Sequence, residues 1–155
     1  LVFKSTVDSK EADKPDIYIA QMDGSGIRHL TNGAHSDHDP SWSPNSKLIT
    51  FARYEGPGLW NNIPTSIKNP WNIYTLTLDG IEQKITSCNG KPYCWLPVFS
   101  SNDQIVYAES TASFFGPILT ALETHLNRIS LNDKISKTFL TSSDLPELWY
   151  FDLSH

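Results

Sequence analysis

Clustered positive charge, long apolar runs and a catalytic signature are all missing from this sequence. Twelve Lys and Arg stand against seventeen Asp and Glu, giving a net charge of −5. The basic residues are scattered and form no stripe, so nucleic acid is not an expected partner. No stretch approaches ~18 consecutive apolar residues, so no membrane-spanning helix is expected. The chain starts with Leu1 rather than Met and shows no signal peptide, so the expectation is a processed chain or a piece of a longer one. No phosphate-binding loop and no Asn-x-Ser/Thr acceptor site occurs, and no cofactor is expected. Cysteine is scarce, with Cys88 and Cys94 alone. Their spacing is not C-x-x-C, and no further Cys or Cys/His pair sits at zinc-finger spacing. Asn89-Gly90 and Pro92 between them favour a tight reversal that brings the two Cα atoms within disulfide range. A bond is expected if the protein is exported, and two free thiols otherwise.

What is present is a repeat. The chain has 155 residues, 39% of them apolar and 12% aromatic, enough to bury the core of one domain. "DIYIAQMDGSGIRHLT" (16–31) matches "NIYTLTLDGIEQKIT" (72–86), and "LNRISLNDKISKTFLT" (126–141) matches both more loosely. Thr31, Thr86 and Thr141 are evenly spaced, 55 residues apart. "DPSWSPNSKLITF" (39–51) likewise aligns with "LPVFSSNDQIVYA" (96–108), which pairs Pro40 with Pro97, Trp42 with Phe99 and Phe51 with Tyr107. The opening "LVF" reads as the tail of an earlier copy.

Each copy reads as four strands rich in Ile, Tyr, Phe, Thr and Leu, bounded by turn residues. The first is a short strand near Asp39–Ser43, followed by the types "KLITFAR", "DIYIAQM" and "IRHLT". "PNS" and "SND" join the first strand to the second, and "MDGSG", "LDG" and "LND" join the third to the fourth. One short helix is expected in "PILTALETH", Pro117 to His125. A four-stranded unit repeated without crossover helices is a β-propeller blade. The expected fold is therefore an all-β propeller of about three four-stranded antiparallel blades, a single incomplete domain over 1–155. It divides into blade remnants at 1–31, blades at 39–86 and 95–141, and the start of another at 145–155. Closed propellers need about four to eight blades, so self-association through open propeller ends is expected. Trp42 and Phe99, bracketed by prolines on the first strand, are expected to fill the wedge between neighbouring sheets.

The stretch "DGSGIRHLTNGAHSDHDPSWSPNSKLITFAR" resembles the TolB-like β-propeller repeat, of approximate form D-I-Y-x-x-x-x-D-G-S-x-x-x-x-L-T, a loop, then D-P-x-W-S-P-D-G-x-x-I-x-F. The match is good from Asp16 to Phe51. The second copy departs from it, with Leu96 where Asp is usual and Ser101 for the second Pro, and the third lacks the Asp-Gly turn. Proteins with this repeat include the periplasmic TolB protein, which docks other envelope proteins, propeller domains of prolyl-oligopeptidase-like peptidases, and polysaccharide-degrading enzymes. The resemblance implies the fold and leaves the function open. The peptidase relatives need a nucleophilic Ser in a G-x-S-x-G turn. None exists here, because Gly24-Ser25-Gly26 belongs to a hairpin turn. The expectation is a non-catalytic protein-interaction module, periplasmic or secreted, whose partners are envelope proteins. The alternative is a partial propeller from a peptidase or polysaccharide-degrading enzyme whose catalytic part lies elsewhere.

The binding surface is expected where the connections are long. In an antiparallel meander, the turns after strands one and three share one end, and the loops after strands two and four share the other. The first set is short. The second holds "YEGPGLWNNIPTSIKNPW" (54–71), "STASFFGPILTALETH" (110–125), "NGAHSDHD" (32–39) and "SCNGKPYCW" (87–95). Trp60, Trp71, Tyr93, Trp95, Phe114 and Phe115, with His35, Asp37 and His38, are the expected binding residues. The cluster "HSDHD" also has metal-ligand types, but nothing like it recurs in the second copy, and Asp39 before Pro40 suits a backbone turn. No metal is expected there.

Overall fold

A computed structural model describes residues 1–8, 14–32, 35–56, 71–88, 92–115, 118–141 and 143–144. Eleven strands occur among them and no helix: β1 (Val2–Ser5), β2 (Asp16–Ile19), β3 (Arg28–His29), β4 (Ser36–Trp42), β5 (Leu48–Tyr54), β6 (Trp71–Thr77), β7 (Glu82–Lys84), β8 (Pro92–Ser101), β9 (Gln104–Phe115), β10 (Ile118–Ser130) and β11 (Ser136–Thr141). They form three antiparallel meanders, β1-β2-β3, β4-β5-β6-β7 and β8-β9-β10-β11. The opening "VF" lies on β1, which pairs with β2 as β5 does with β6 in the second sheet. "LWYFD" (148–152) and Trp60 lie outside the described residues.

Alternation along the strands assigns one face of each sheet to each neighbour. Ile17, Ile49, Phe51 and Leu76 are buried between the first and second sheets, with Trp42 and Tyr74 packed against them. Ala52, Tyr54, Ile73, Phe99, Ile105, Tyr107 and Ile129 are buried between the second and third. Trp42 and Phe99 thus sit in the inter-sheet layers, as their place before the tight turns suggests. A polar clasp recurs where the third strand begins. Thr31 Oγ1 accepts the Ile17 N–H (3.0 Å) and donates to Asp16 (3.3 Å). Thr86 does the same with Ile73 N–H (2.9 Å) and Asn72 (3.2 Å). The repeated threonine therefore closes a strand end whose backbone donor is buried. Thr141 bonds Asp144 instead.

Two expectations fail. "PILTALETH" is strand, not helix: β10 begins at Ile118 and pairs with β9 from Phe115↔Ile118 to Gln104↔Ser130. Its threonines suit a strand, and the ladder with β9 outweighs a weak local helix preference. The described residues of 110–125 therefore form a two-stranded ribbon rather than a loop. The first strands also begin earlier than expected, at Ser36 and Pro92, because the ladder continues through a bulge. Register shifts between His38 and Ser41 on β4, and between Trp95 and Val98 on β8. Asp39 (φ 52°) and Leu96 (φ 48°) are the left-handed residues of these bulges. Proline follows each and needs no ladder donor partner.

Leu96 departs from the repeat where the backbone demands it least. Asp tolerates the left-handed region because its side chain bonds locally, whereas a branched apolar side chain costs about 1–2 kcal/mol there. Leu96→Asn is expected to raise stability by about 1 kcal/mol, read as a higher urea midpoint. An unchanged or lower midpoint would show that Leu96 contributes more by packing than it loses by conformation.

Candidate functional site

A network of charge runs along the second sheet from the end that carries the long connections towards the short turns. Arg53 on β5 lies directly opposite Asp37 on β4. Its Nε and Nη2 donate to the two Asp37 carboxylate oxygens at 2.7 and 2.8 Å. The other edge of the guanidinium meets Glu82 on β7, with Nη2 donating at 2.9 Å. The guanidinium lies over the rings of Phe51 (5.1 Å) and Tyr74 (4.8 Å). Burial opposes its charge, but the hydrogen bonds it donates to Asp37 and Glu82 outweigh that and raise its pKa. Burial raises the Asp37 carboxyl above its ordinary value, with Arg53 holding it back. Beside this pair, Glu55 accepts Lys84 Nζ (2.7 and 2.8 Å), Asn72 Nδ2 (3.1 Å) and the Tyr74 hydroxyl.

On the inner strand, Lys4 Nζ donates to His38 Nδ1 at 3.0 Å. Burial, reinforced by the Lys4 ammonium, pushes the His38 pKa down to about 4, so the ring is neutral at pH 7 and accepts. Trp71 is 8% exposed; its ring meets His38 edge-on at 5.2 Å and Tyr54 at 5.5 Å. On β8, Tyr93 and Trp95 are half-buried against the second inter-sheet layer. The Trp95 indole donates to Ser110 Oγ at 2.9 Å, and Ser110 shares a hydrogen bond with Thr124. Cys88 and Cys94 form a disulfide with Cα atoms 6.1 Å apart, closing the reversal between β7 and β8.

Neither a protein-family model nor a curated protein sequence matches the chain. Solved structures do. The putative TolB of Agrobacterium tumefaciens aligns at TM-score 0.58 and 19% identity, over 82% of this chain and 41% of that one. TolB from Acinetobacter baumannii gives 0.57 and 19%, over 81% and 26%. The oligogalacturonate lyase of Vibrio parahaemolyticus gives 0.59 and 12%, over 91% and 36%. The fold is TolB-like. The chain spans less than half the length of each of these proteins, and its three described sheets do not close a ring.

β4 and β8 are the first strands of their sheets and pack against each other. Seven of the residues expected to bind lie in strands of the sheets. Asp37 (1% exposed) and His38 (7%) are strand residues engaged with Arg53 and Lys4. Trp71 opens β6, and Tyr93 and Trp95 lie on β8. His35 is half-buried just before β4. Phe114 and Phe115 end β9, opposite Leu119 and Ile118 of β10. Sequence reasoning missed Arg53. Its signal was an arginine inside the apolar run "LITFARY", where a buried charge demands carboxylate partners.

Proposed function

We propose that the chain is a non-catalytic docking module that binds a protein partner through the end of its sheets carrying the long connections. The observation that supports this reading most is the difference between the two ends. The short-turn end is cross-linked from blade to blade. Asn45 N–H donates to Asn102 Oδ1 (2.9 Å), Arg28 to the Leu78 carbonyl (2.8 Å) and Lys134 to the Lys84 carbonyl (3.4 Å). At the other end, 16 residues separate β5 from β6. The β9–β10 ribbon there runs past the last β8 pairing, Pro92↔Thr111, and the last β11 pairing, Thr141↔His125. A stitched base beneath an elaborated rim is the layout of a binding scaffold. Arg53, Asp37, Glu82, Glu55 and Lys84 are spent on one another, which suits support better than catalysis. The disulfide suits a periplasmic or secreted setting.

With Trp71 buried, the anchors of this reading are Trp60, Phe114 and Phe115, with His35, Tyr93 and Trp95. Trp60→Ala and Phe114→Ala are expected to preserve the fold and to weaken capture of an envelope protein from an extract by roughly 30-fold each, as loss of an interface anchor worth about 2 kcal/mol does. Unchanged capture, with loss on substituting Asn45 or Asp133 in the short turns, would place the docking face at the opposite end. The likeness to a lyase supports a second reading, a partial propeller from an enzyme. Incubation with oligogalacturonate separates the two: no unsaturated product is expected, and turnover would overturn the non-catalytic reading.

A further inference from the structure

We propose that a second copy of this chain completes the first sheet by laying its residues 145–155 along β1, so that two copies close one ring. Among the described residues the first sheet is one strand short. β1 pairs with β2 as β5 pairs with β6 and β9 with β10, but no described strand stands where β4 and β8 stand in the other two sheets. The open edge has a defined pattern. The Leu1 amino group donates to the Ala20 carbonyl at 2.8 Å, and the Ala20 N–H donates back to the Leu1 carbonyl at 3.2 Å. In an antiparallel ladder such mutually bonded pairs alternate with pairs whose backbone groups point outwards. Val2↔Ile19 and Lys4↔Ile17 are therefore outward pairs. Ile17 obeys this, since its carbonyl accepts the Leu30 N–H at 2.9 Å on the side away from β1. The N–H and C=O groups of Val2 and Lys4 accordingly face away from β2. They form the kind of unpaired edge that templates another strand.

Residues 145–155 carry the pattern of the missing strand. β4 and β8 each hold a proline with an aromatic residue two places on, in Asp39-Pro40-Ser41-Trp42 and Leu96-Pro97-Val98-Phe99. Leu145-Pro146-Glu147-Leu148 repeats the form with an apolar residue at the same place, and Trp149, Tyr150 and Phe151 follow. Aromatics in succession suit a strand. The segment comes after β11, the fourth strand of its sheet, as β8 comes after β7. Beside the open edge, Phe3 and Tyr18 stack at 5.8 Å. They lie on the opposite pleat from Ile17, hence on the face turned away from the second sheet.

Ring closure sets the number of copies. One chain has three described sheets, two copies have six and three have nine; of these only six falls within the about four to eight blades of a closed propeller. A head-to-tail contact makes a closed ring when its rotation returns to the start, and here it returns after two copies. Each β1 then receives the tail of the other copy, antiparallel, as β5 receives β4.

Sedimentation equilibrium of the full chain is expected to give twice the mass of one chain. Val2→Pro removes an outward donor and leaves the β1–β2 bonds in place, and should weaken the dimer about tenfold. Trp149→Asp combined with Tyr150→Asp puts charge on both faces of the incoming strand, and should weaken it by at least about 100-fold. Isotope-filtered NOE spectra need no variant to fold. Labelled and unlabelled wild-type chains, unfolded together in urea and refolded, should show contacts between residues 2–5 of one copy and residues 145–155 of the other. A single-chain mass at every concentration, an assembly larger than two, a dimer that neither variant weakens, or filtered contacts that leave out either segment would each overturn the proposal.

Discussion

Arg53→Met is expected to destabilise the protein by about 3–5 kcal/mol, the usual cost of leaving a buried charge without its partner. Asp37 is 1% exposed, and both of its oxygens accept from Arg53. Methionine fills much of the space over Phe51 and Tyr74 but supplies no donor. The loss therefore lies in the stranded carboxylate rather than in packing. Adding Asp37→Asn and Glu82→Gln to Arg53→Met should recover most of it, because a cluster without charge no longer bears the desolvation cost. Urea unfolding of the wild type, Arg53→Met and the triple variant gives the comparison. A single-variant loss below about 1 kcal/mol, the range of an exposed ion pair, would show that water reaches Asp37.

Acidification should bring the second large effect. His38 titrates near 6.5 in the unfolded chain and near 4 in the folded one. Between those values the unfolded chain binds the extra proton. Stability present above pH 6.5 is therefore lost as pH falls towards 4, and the full difference is worth about 3 kcal/mol. His38→Gln leaves an acceptor for Lys4 and removes the titration. Its stability should follow the wild-type curve with the slope between pH 6.5 and 4 subtracted. Burial raises Asp37 and Asp39, so their contributions run the other way and remain in both curves. Parallel curves through that window would mean that His38 charges freely in the folded state.

Much of the fold is legible because its signals are local. The Asp-Gly and Asn-Asp turns, the evenly spaced threonines and the proline-flanked aromatics each act within a few residues. The structure places the clasps of Thr31 and Thr86, and the wedge residues Trp42 and Phe99, where those signals suggest. What sequence misses depends on pairing partners far along the chain. "PILTALETH" has no helix cap and no decisive period, so its ladder with β9 decides its state. The bulges at Asp39 and Leu96 extend β4 and β8 backwards into stretches rich in His, Cys and Trp that read as loop. Aromatics there were expected at a rim. Ladder geometry turns Trp71 inward, and Trp95 finds Ser110 as its partner. Arg53 was legible in principle, since an arginine between Ala52 and Tyr54 in a buried strand implies carboxylates on the flanking strands.

The register of the third sheet underlies the projecting ribbon and sets Cys94, Glu109 and His125 in one row across three strands. Backbone NOE spectroscopy of the uniformly labelled chain reads it directly. Cross-strand contacts linking Cys94 to Glu109, Glu109 to His125 and Phe114 to Leu119 are expected. A helical pattern of i to i+3 contacts through Ile118–His125, without those cross-strand contacts, would contradict it.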